Sequence, residues 1–131
     1  MDRLAAAFPE LVADLAAKLR ESGRSELAAD LETCALHAAS YDEDANAVYL
    51  HANSARELNV VELNVIGTRF GETICVDDNC YRNIDVDNFG RVTGVEVICP
   101  DEALKSALRR CSGDKTRRDG AEESDGADRD G

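Results

Sequence analysis

The sequence predicts an α+β domain: an N-terminal helical hairpin packed on an antiparallel β-meander, then a short helix and a polar tail. Three observations carry this. Apolar residues recur at helical spacing between Leu11 and Ala35. From Ser40 the period changes to alternation, with β-branched residues between turn-rich segments. After Cys111 all periodicity stops in a run of Gly, Asp, Glu, Ser and Arg. These changes place one domain over residues 1–111, with helices in 1–38, strands in 39–99 and a helix in 101–111. Residues 112–131 read as a disordered acidic tail.

Taken in order, Pro9 suits the first turn of a helix, where its missing N–H is not needed. Leu11, Val12, Leu15 and Leu19 follow on one face, and Gly23 is a natural stop. Ser25 is placed to cap a second helix with Leu27, Leu31 and Cys34 on its apolar side. His37 falls at the end of this segment, where the helix dipole would favour it. A hairpin is expected next, with a first arm near Leu36–Tyr41, a polar turn over Tyr41–Asn46 and a return strand Ala47–His51. Val48 and Leu50 share one face of that strand, Tyr49 and His51 the other. Glu57–Ile66 repeats the word Glu-Leu-Asn-Val and reads as a strand with Asn59, Val61, Leu63 and Val65 inward. A turn between Gly67 and Gly71 leads to a strand over Thr73–Val76.

The segment Asn83–Ile98 is the best-determined piece. Ile84 and Val86 point one way, with Asn83, Asp85 and Asp87 the other; Val95, Val97 and Cys99 alternate on the return. Asn88-Phe89-Gly90 supplies a glycine where a longer hairpin loop needs positive φ. Gly94 predicts a bulge or a close approach, which would bring Val92 into phase with Val95. Pro100 ends the strand, and Asp101 can cap a last helix carrying Ala103, Leu104, Ala107 and Leu108.

Two stretches resemble a small bacterial domain family of unknown function: Tyr41-Asp42-Glu43-Asp44-Ala45-Asn46-Ala47-Val48-Tyr49-Leu50 and Asp87-Asn88-Phe89-Gly90-Arg91-Val92-Thr93-Gly94-Val95-Glu96-Val97. The resemblance spans roughly Tyr41 to Cys99. It departs over Val60–Asp78, which is longer, and in the added N-terminal helices. It implies a strand meander, and some relatives look like the antitoxin half of toxin–antitoxin pairs. It implies no active site.

The formal net charge is -12. Ser112–Gly131 holds seven acids and four bases, so the tail supplies -3 and the rest of the chain -9. Such a body repels nucleic-acid phosphates and anionic membrane; it reads as a solvated acidic surface, or as one that steers toward a basic protein partner. No run reaches the roughly 18 apolar residues of a membrane span. The beginning, Met1–Pro9, lacks a basic and then apolar leader, which predicts a cytoplasmic chain with its five cysteines reduced.

Three constellations could carry chemistry. Asp85, Asp87, Gly90 and Glu96 match positions 1, 3, 6 and 12 of a calcium loop, but Phe89 occupies position 5. An extended arm would also carry Glu96 about 20 Å from the turn. Cys75 and Cys80, with His51 or His37, are the candidate zinc or thiol residues, although structural zinc sites use two tighter pairs. Asp42, Glu43, Asp44, Asp77, Asp78, Asp85 and Asp87 could form an acid–base pair, but they fall in turns or at expected outward positions. Phosphate loops, dinucleotide fingerprints and hydrolase elbows are missing. The sequence therefore predicts no catalytic residue and no cofactor. It points to a non-enzymatic interaction module, antitoxin- or immunity-like, taking a basic protein or a second copy along a sheet edge. The alternative is a zinc- or thiol-dependent protein built on Cys75 and Cys80.

Overall fold

A computed structural model describes residues 2–58 and 67–112. The chain divides between Pro100 and Asp101 into two units. The first holds helices α1 (Leu4–Ala7), α2 (Pro9–Glu21) and α3 (Ser25–Thr33), and strands β1 (Ala35–Asp42), β2 (Ala47–Asn53), β3 (Phe70–Cys75), β4 (Arg82–Asp87) and β5 (Val92–Ile98). The second holds α4 (Glu102–Ser112). The fold is α+β, with its helices first and then one antiparallel five-stranded sheet. The expected strand over Glu57–Ile66 and the tail beyond Ser112 lie, for residues 59–66 and 113–131, outside the described residues.

Pro9 opens α2, and Gly23 follows its end at φ +84°, a conformation open to glycine without a Cβ penalty. Val12, Leu15, Ala16 and Leu19 form the buried stripe of α2. Leu4 and Phe8 extend it, although nothing in the first eight residues marks α1 by period. In α3, Ala28 and Leu31 are fully buried. Ser25 does not cap this helix: it is the first helical residue, after Arg24, and no side chain caps that end. The helix stops at Thr33, so His37 lies on β1 and not at a helix terminus. It occupies the bulge between Leu36 and Ala38. Chain direction changes there because Leu4 N–H donates to Cys34 O and Leu36 N–H to Asp2 O, pairing the N-terminus with the start of β1.

The sheet order is β1-β2-β5-β4-β3. The runs β1-β2 and β3-β4-β5 are each meanders, joined so that β2 lies beside β5. Ala39, Leu50, Val95, Ile84 and Ile74 line up across all five strands, and Val48 pairs with Val97 in the next row. Val48, Leu50, Val95 and Ile84 are fully buried, and with Leu15, Leu19 and Leu31 they form the core. Each such leucine contributes about 1.5–3 kcal/mol of burial. The predicted phases of β2 and β4 hold for Val48, Leu50, Ile84 and Val86, and that of β5 holds for Val95 and Val97. It does not hold for Cys99, which lies past the end of the strand at φ +53° and is exposed. The register shifts between Asp85 and Val86, pairing Asp85 with Gly94 and Val86 with Val92. Thr93 is the extra residue, and the bulge brings Val92 and Val95 both into the core, as the position of Gly94 predicts.

Asp87 departs from expectation. It is 5% exposed and not an outward strand residue. Its Oδ1 accepts from the N–H groups of Phe89 and Arg91, at 2.9 and 3.0 Å, and its Oδ2 pairs with Arg91 Nε at 2.9 Å. Burial alone would raise its pKa, but those N–H donors and the guanidinium outweigh it and hold the carboxyl below its ordinary value. Gly90 takes φ +78°, so this loop is a hairpin turn with a carboxylate inside it. In the second unit, Asp101 caps α4 as expected, accepting from Leu104 N–H at 2.8 Å.

Candidate functional site

The face of the sheet opposite the apolar rows is polar. The register aligns Ser40, Tyr49, Glu96, Asn83 and Cys75 in one row, and Ala38, His51, Gly94, Asp85 and Thr73 in the next. Tyr49 does not stay in its row. Its hydroxyl crosses β5 above Gly94 and donates to Asp85 Oδ2 on β4 at 2.5 Å. Thr73 Oγ1 donates to the other oxygen, Oδ1, at 2.6 Å. Burial, then the bond to Asp85 and the nearby charges of Asp85 and Glu96, push the Tyr49 phenol well above its ordinary pKa. It is therefore a fixed donor and not a base. The His51 ring stands edge-on to Tyr49 with centroids 4.5 Å apart.

Gly94 is what permits this crossing. A Cβ there would lie 2.2 Å from the Tyr49 hydroxyl oxygen and 2.5 Å from Cζ. The close approach predicted at this glycine is thus made by an aromatic ring. Gly94→Ala must drive the ring off Asp85, and we expect a loss of about 1–2 kcal/mol in urea unfolding. Tyr49→Phe should then add little in the Gly94→Ala background, because the bond is already gone. Two losses that simply add would refute the link between the two residues.

The network continues from Asn83 toward β3. Asn83 is 6% exposed, and its Nδ2 donates to Cys80 O at 2.8 Å and Glu96 Oε1 at 3.2 Å. Its Oδ1 is buried and has no hydrogen-bond partner among the described residues. Cys80 follows the loop Asp77-Asp78-Asn79, in which Cys80 N–H donates to Asp77 O and Tyr81 N–H to Asn79 Oδ1. This turn returns Cys80 to Cys75 with Cα atoms 4.9 Å apart, and the two are joined as a disulfide. The expectation of five reduced cysteines fails for this pair, because the loop turns back on itself and brings the two sulfurs together. Cys34, Cys99 and Cys111 are not in disulfides. Burial, and next the charge of Asp30, push the Cys34 thiol up to about 11.

In the same loop, Asp77 accepts from Arg82 Nε at 2.8 Å, Arg82 Nη2 at 2.9 Å and Lys18 Nζ at 3.2 Å. Arg82 also donates to Asp14 on α2. The Arg82 bonds first, then Lys18, hold the Asp77 carboxyl down at about 2. A depressed carboxyl adds stability above its unfolded value, near 3.9, and that stability is lost as pH falls toward 2.

Of the residues singled out from sequence, Cys75 and Cys80 meet each other. His51 stands on β2, and β5 and β4 separate it from β3. Among the described residues no group of three His, Cys, Asp or Glu side chains is placed to hold a metal ion, and no helix is long and apolar enough to cross a membrane. Asp85 and Asp87 do not form an acid–base pair, since each carboxylate is tied by its own donors. Tyr49, Gly94 and Asn83 were not identified from sequence as site residues. The one available signal was a strand glycine standing near an aromatic across the sheet. No protein-family model, curated protein or solved structure matches the chain.

Proposed function

We propose that this chain is a non-enzymatic protein-interaction module that receives an extended, basic segment of a partner along β1. The supporting observation is the make-up of that strand. Among the described residues β1 ends the sheet, and the N-terminal pairing covers its outer side as far as Leu36. Beyond the His37 bulge, Ala38, Ala39 and Ser40 present small side chains at the edge. The strand then runs into the exposed acidic turn Asp42-Glu43-Asp44. Strand addition supplies affinity through backbone bonds, and the acidic turn selects for basic residues. The resemblance to the small bacterial family makes a toxin-like basic protein the first partner to look for.

The test is co-purification from source cells, followed by cross-linking and mass spectrometry. A basic partner should cross-link beside β1. Ala38→Lys/Ser40→Lys should lose it while melting like wild type, because charge on an edge blocks strand addition. Equal recovery by the variant, or recovery of no partner, would overturn the reading. A stable dimer of the chain alone that the variant disrupts would replace the basic partner with a second copy.

A further inference from the structure

We infer that copies of this chain associate end to end, with the arginine-bearing tip of the β4–β5 hairpin of one copy seated on the acidic β1–β2 turn of the next. The two surfaces lie at opposite ends of the sheet. β5 starts at the hairpin tip with Val92 and finishes beside the acidic turn, where Ala47 pairs with Ile98 and Cys99 N–H donates to Asn46 O. Seven residues of strand at about 3.3 Å each hold the two ends roughly 20 Å apart. The contact shares the acidic turn with the proposed partner site but does not use the β1 edge, so it stands or falls separately from that reading.

At the tip, Arg56, Arg69 and Arg91 gather in a chain whose net charge is -12. Arg56, just past β2, donates through Nη2 to Phe89 O, and Arg91 Nη1 donates to Arg56 O at 3.1 Å. Arg69 is joined to the same turn by its backbone: Asn88 N–H donates to Arg69 O, and Arg69 N–H to Asn88 Oδ1, each at 2.9 Å. Of the three, only Arg91 has a carboxylate partner among the described residues, Asp87. Arg56 and Arg69 are exposed and keep their charge uncompensated, which Glu57, next to Arg56 in the chain, opposes in part. A carboxylate suits such groups, because the guanidinium fork takes it in two parallel bonds.

At the other end Asp42, Glu43 and Asp44 are all exposed, and no cation pairs with them among the described residues. Asp42 Oδ1 accepts from Asp44 N–H at 3.0 Å and from Ala45 N–H at 3.3 Å, so the turn is ordered before anything docks. Ser40 and the turn line an open hollow of about 660 Å³, and a hairpin tip is convex. Surfaces already held by their own bonds lose little freedom on contact. The net charges of two copies repel, but in 0.15 M salt the Debye length is about 8 Å. Facing guanidinium and carboxylate groups lie within that range, whereas most of the charge on each copy lies beyond it. The two patches differ, so the contact is heterologous, and each pair keeps one tip and one turn for further copies.

The test is sedimentation equilibrium of the full chain, with thiols outside the disulfide alkylated. In 0.15 M salt the average mass should rise between about 10 μM and 1 mM protein, as expected for a few exposed ion pairs. The association constant should fall about fivefold in 0.5 M salt. Arg56→Glu/Arg69→Glu should lower it about tenfold, and so should Glu43→Lys/Asp44→Lys. The second variant discriminates, because it makes the chain less acidic, and relief of general repulsion would strengthen association. The Glu43 and Asp44 side chains make no bond within the fold among the described residues, so this variant tests the contact even if Arg56→Glu disturbs the hairpin. An equimolar mixture of the two variants should regain association, since the intact tip of one meets the intact turn of the other. Wild type that stays monomeric to 1 mM, a Glu43→Lys/Asp44→Lys variant that associates as wild type does, or a mixture that stays monomeric would overturn the inference.

Discussion

Asp87→Ala should destabilise the first unit by about 2–4 kcal/mol, read as a fall in urea midpoint at unchanged slope. The carboxylate is buried, and three donors converge on it: Phe89 N–H, Arg91 N–H and Arg91 Nε. Alanine leaves two turn amides without this acceptor and a guanidinium, itself mostly covered, without its charge partner. Turn geometry would suffer too, because Asp87 N–H donates to Arg91 O and Gly90 N–H donates to Asp87 O within the same loop. Asp87→Asn separates the contributions. Its amide oxygen can still accept from the two backbone N–H groups, but the ion pair is gone, so it should fall between wild type and alanine. An alanine variant within about 0.5 kcal/mol of wild type would mean that water replaces the carboxylate and that the turn does not depend on it.

The same residue shows how far the sequence can be read. Alternation placed Ile84 and Val86 in the core correctly, because a strand's pleat is local and any long apolar row must be buried on one side. Alternation also assigned Asp87 to the opposite, solvated side, and there it failed. At a strand end the pleat no longer decides exposure, and backbone donors in the adjoining turn can repay desolvation of a carboxylate. The bulge at Thr93-Gly94 was legible because Val92 and Val95 are out of phase, and only an extra residue can bury both. What the phase could not reveal was the occupant of the space above Gly94, since Tyr49 lies far away in sequence. The disulfide was missed for a different reason. Spacing alone allowed Cys75 and Cys80 to be free, metal-bound or bonded, and a cytoplasmic reading of the N-terminus favoured the first. His37 was misplaced because the apolar period of α3 fades gradually, while the actual break is set by Asp2–Leu4 pairing with Cys34–Leu36, a contact between distant segments. Local periodicity thus found the elements and their buried faces, whereas the polar site depends on partners that only the sheet order brings together.

Asp30→Ala is expected to cost a similar amount, about 2–4 kcal/mol, for a reason invisible in the helical pattern. Asp30 sits in α3 yet is only 8% exposed. Its Oδ2 accepts from Val92 N–H at 2.9 Å, and its Oδ1 accepts from Ser54 Oγ at 2.6 Å. Val92 lies at the start of β5, where the strand leaves the hairpin turn, and it is buried. The carboxylate therefore fastens α3 to two places on the sheet: the entry to β5 and the end of β2. Alanine removes both links and leaves the buried Val92 N–H without its acceptor. Asparagine should be much milder, since its oxygen can serve Val92 while its amide nitrogen donates to the Ser54 hydroxyl, which rotates to accept. Ser54→Ala, which loses one of the two links, should cost about 1 kcal/mol. Hydrogen exchange supplies the local readout. The Val92 amide should exchange faster in Asp30→Ala by more than the global loss of stability accounts for, and near the wild-type rate in Asp30→Asn once stability is matched. Equal Val92 protection in all three proteins would show that another acceptor serves this amide, and that α3 is held to the sheet by its apolar face alone.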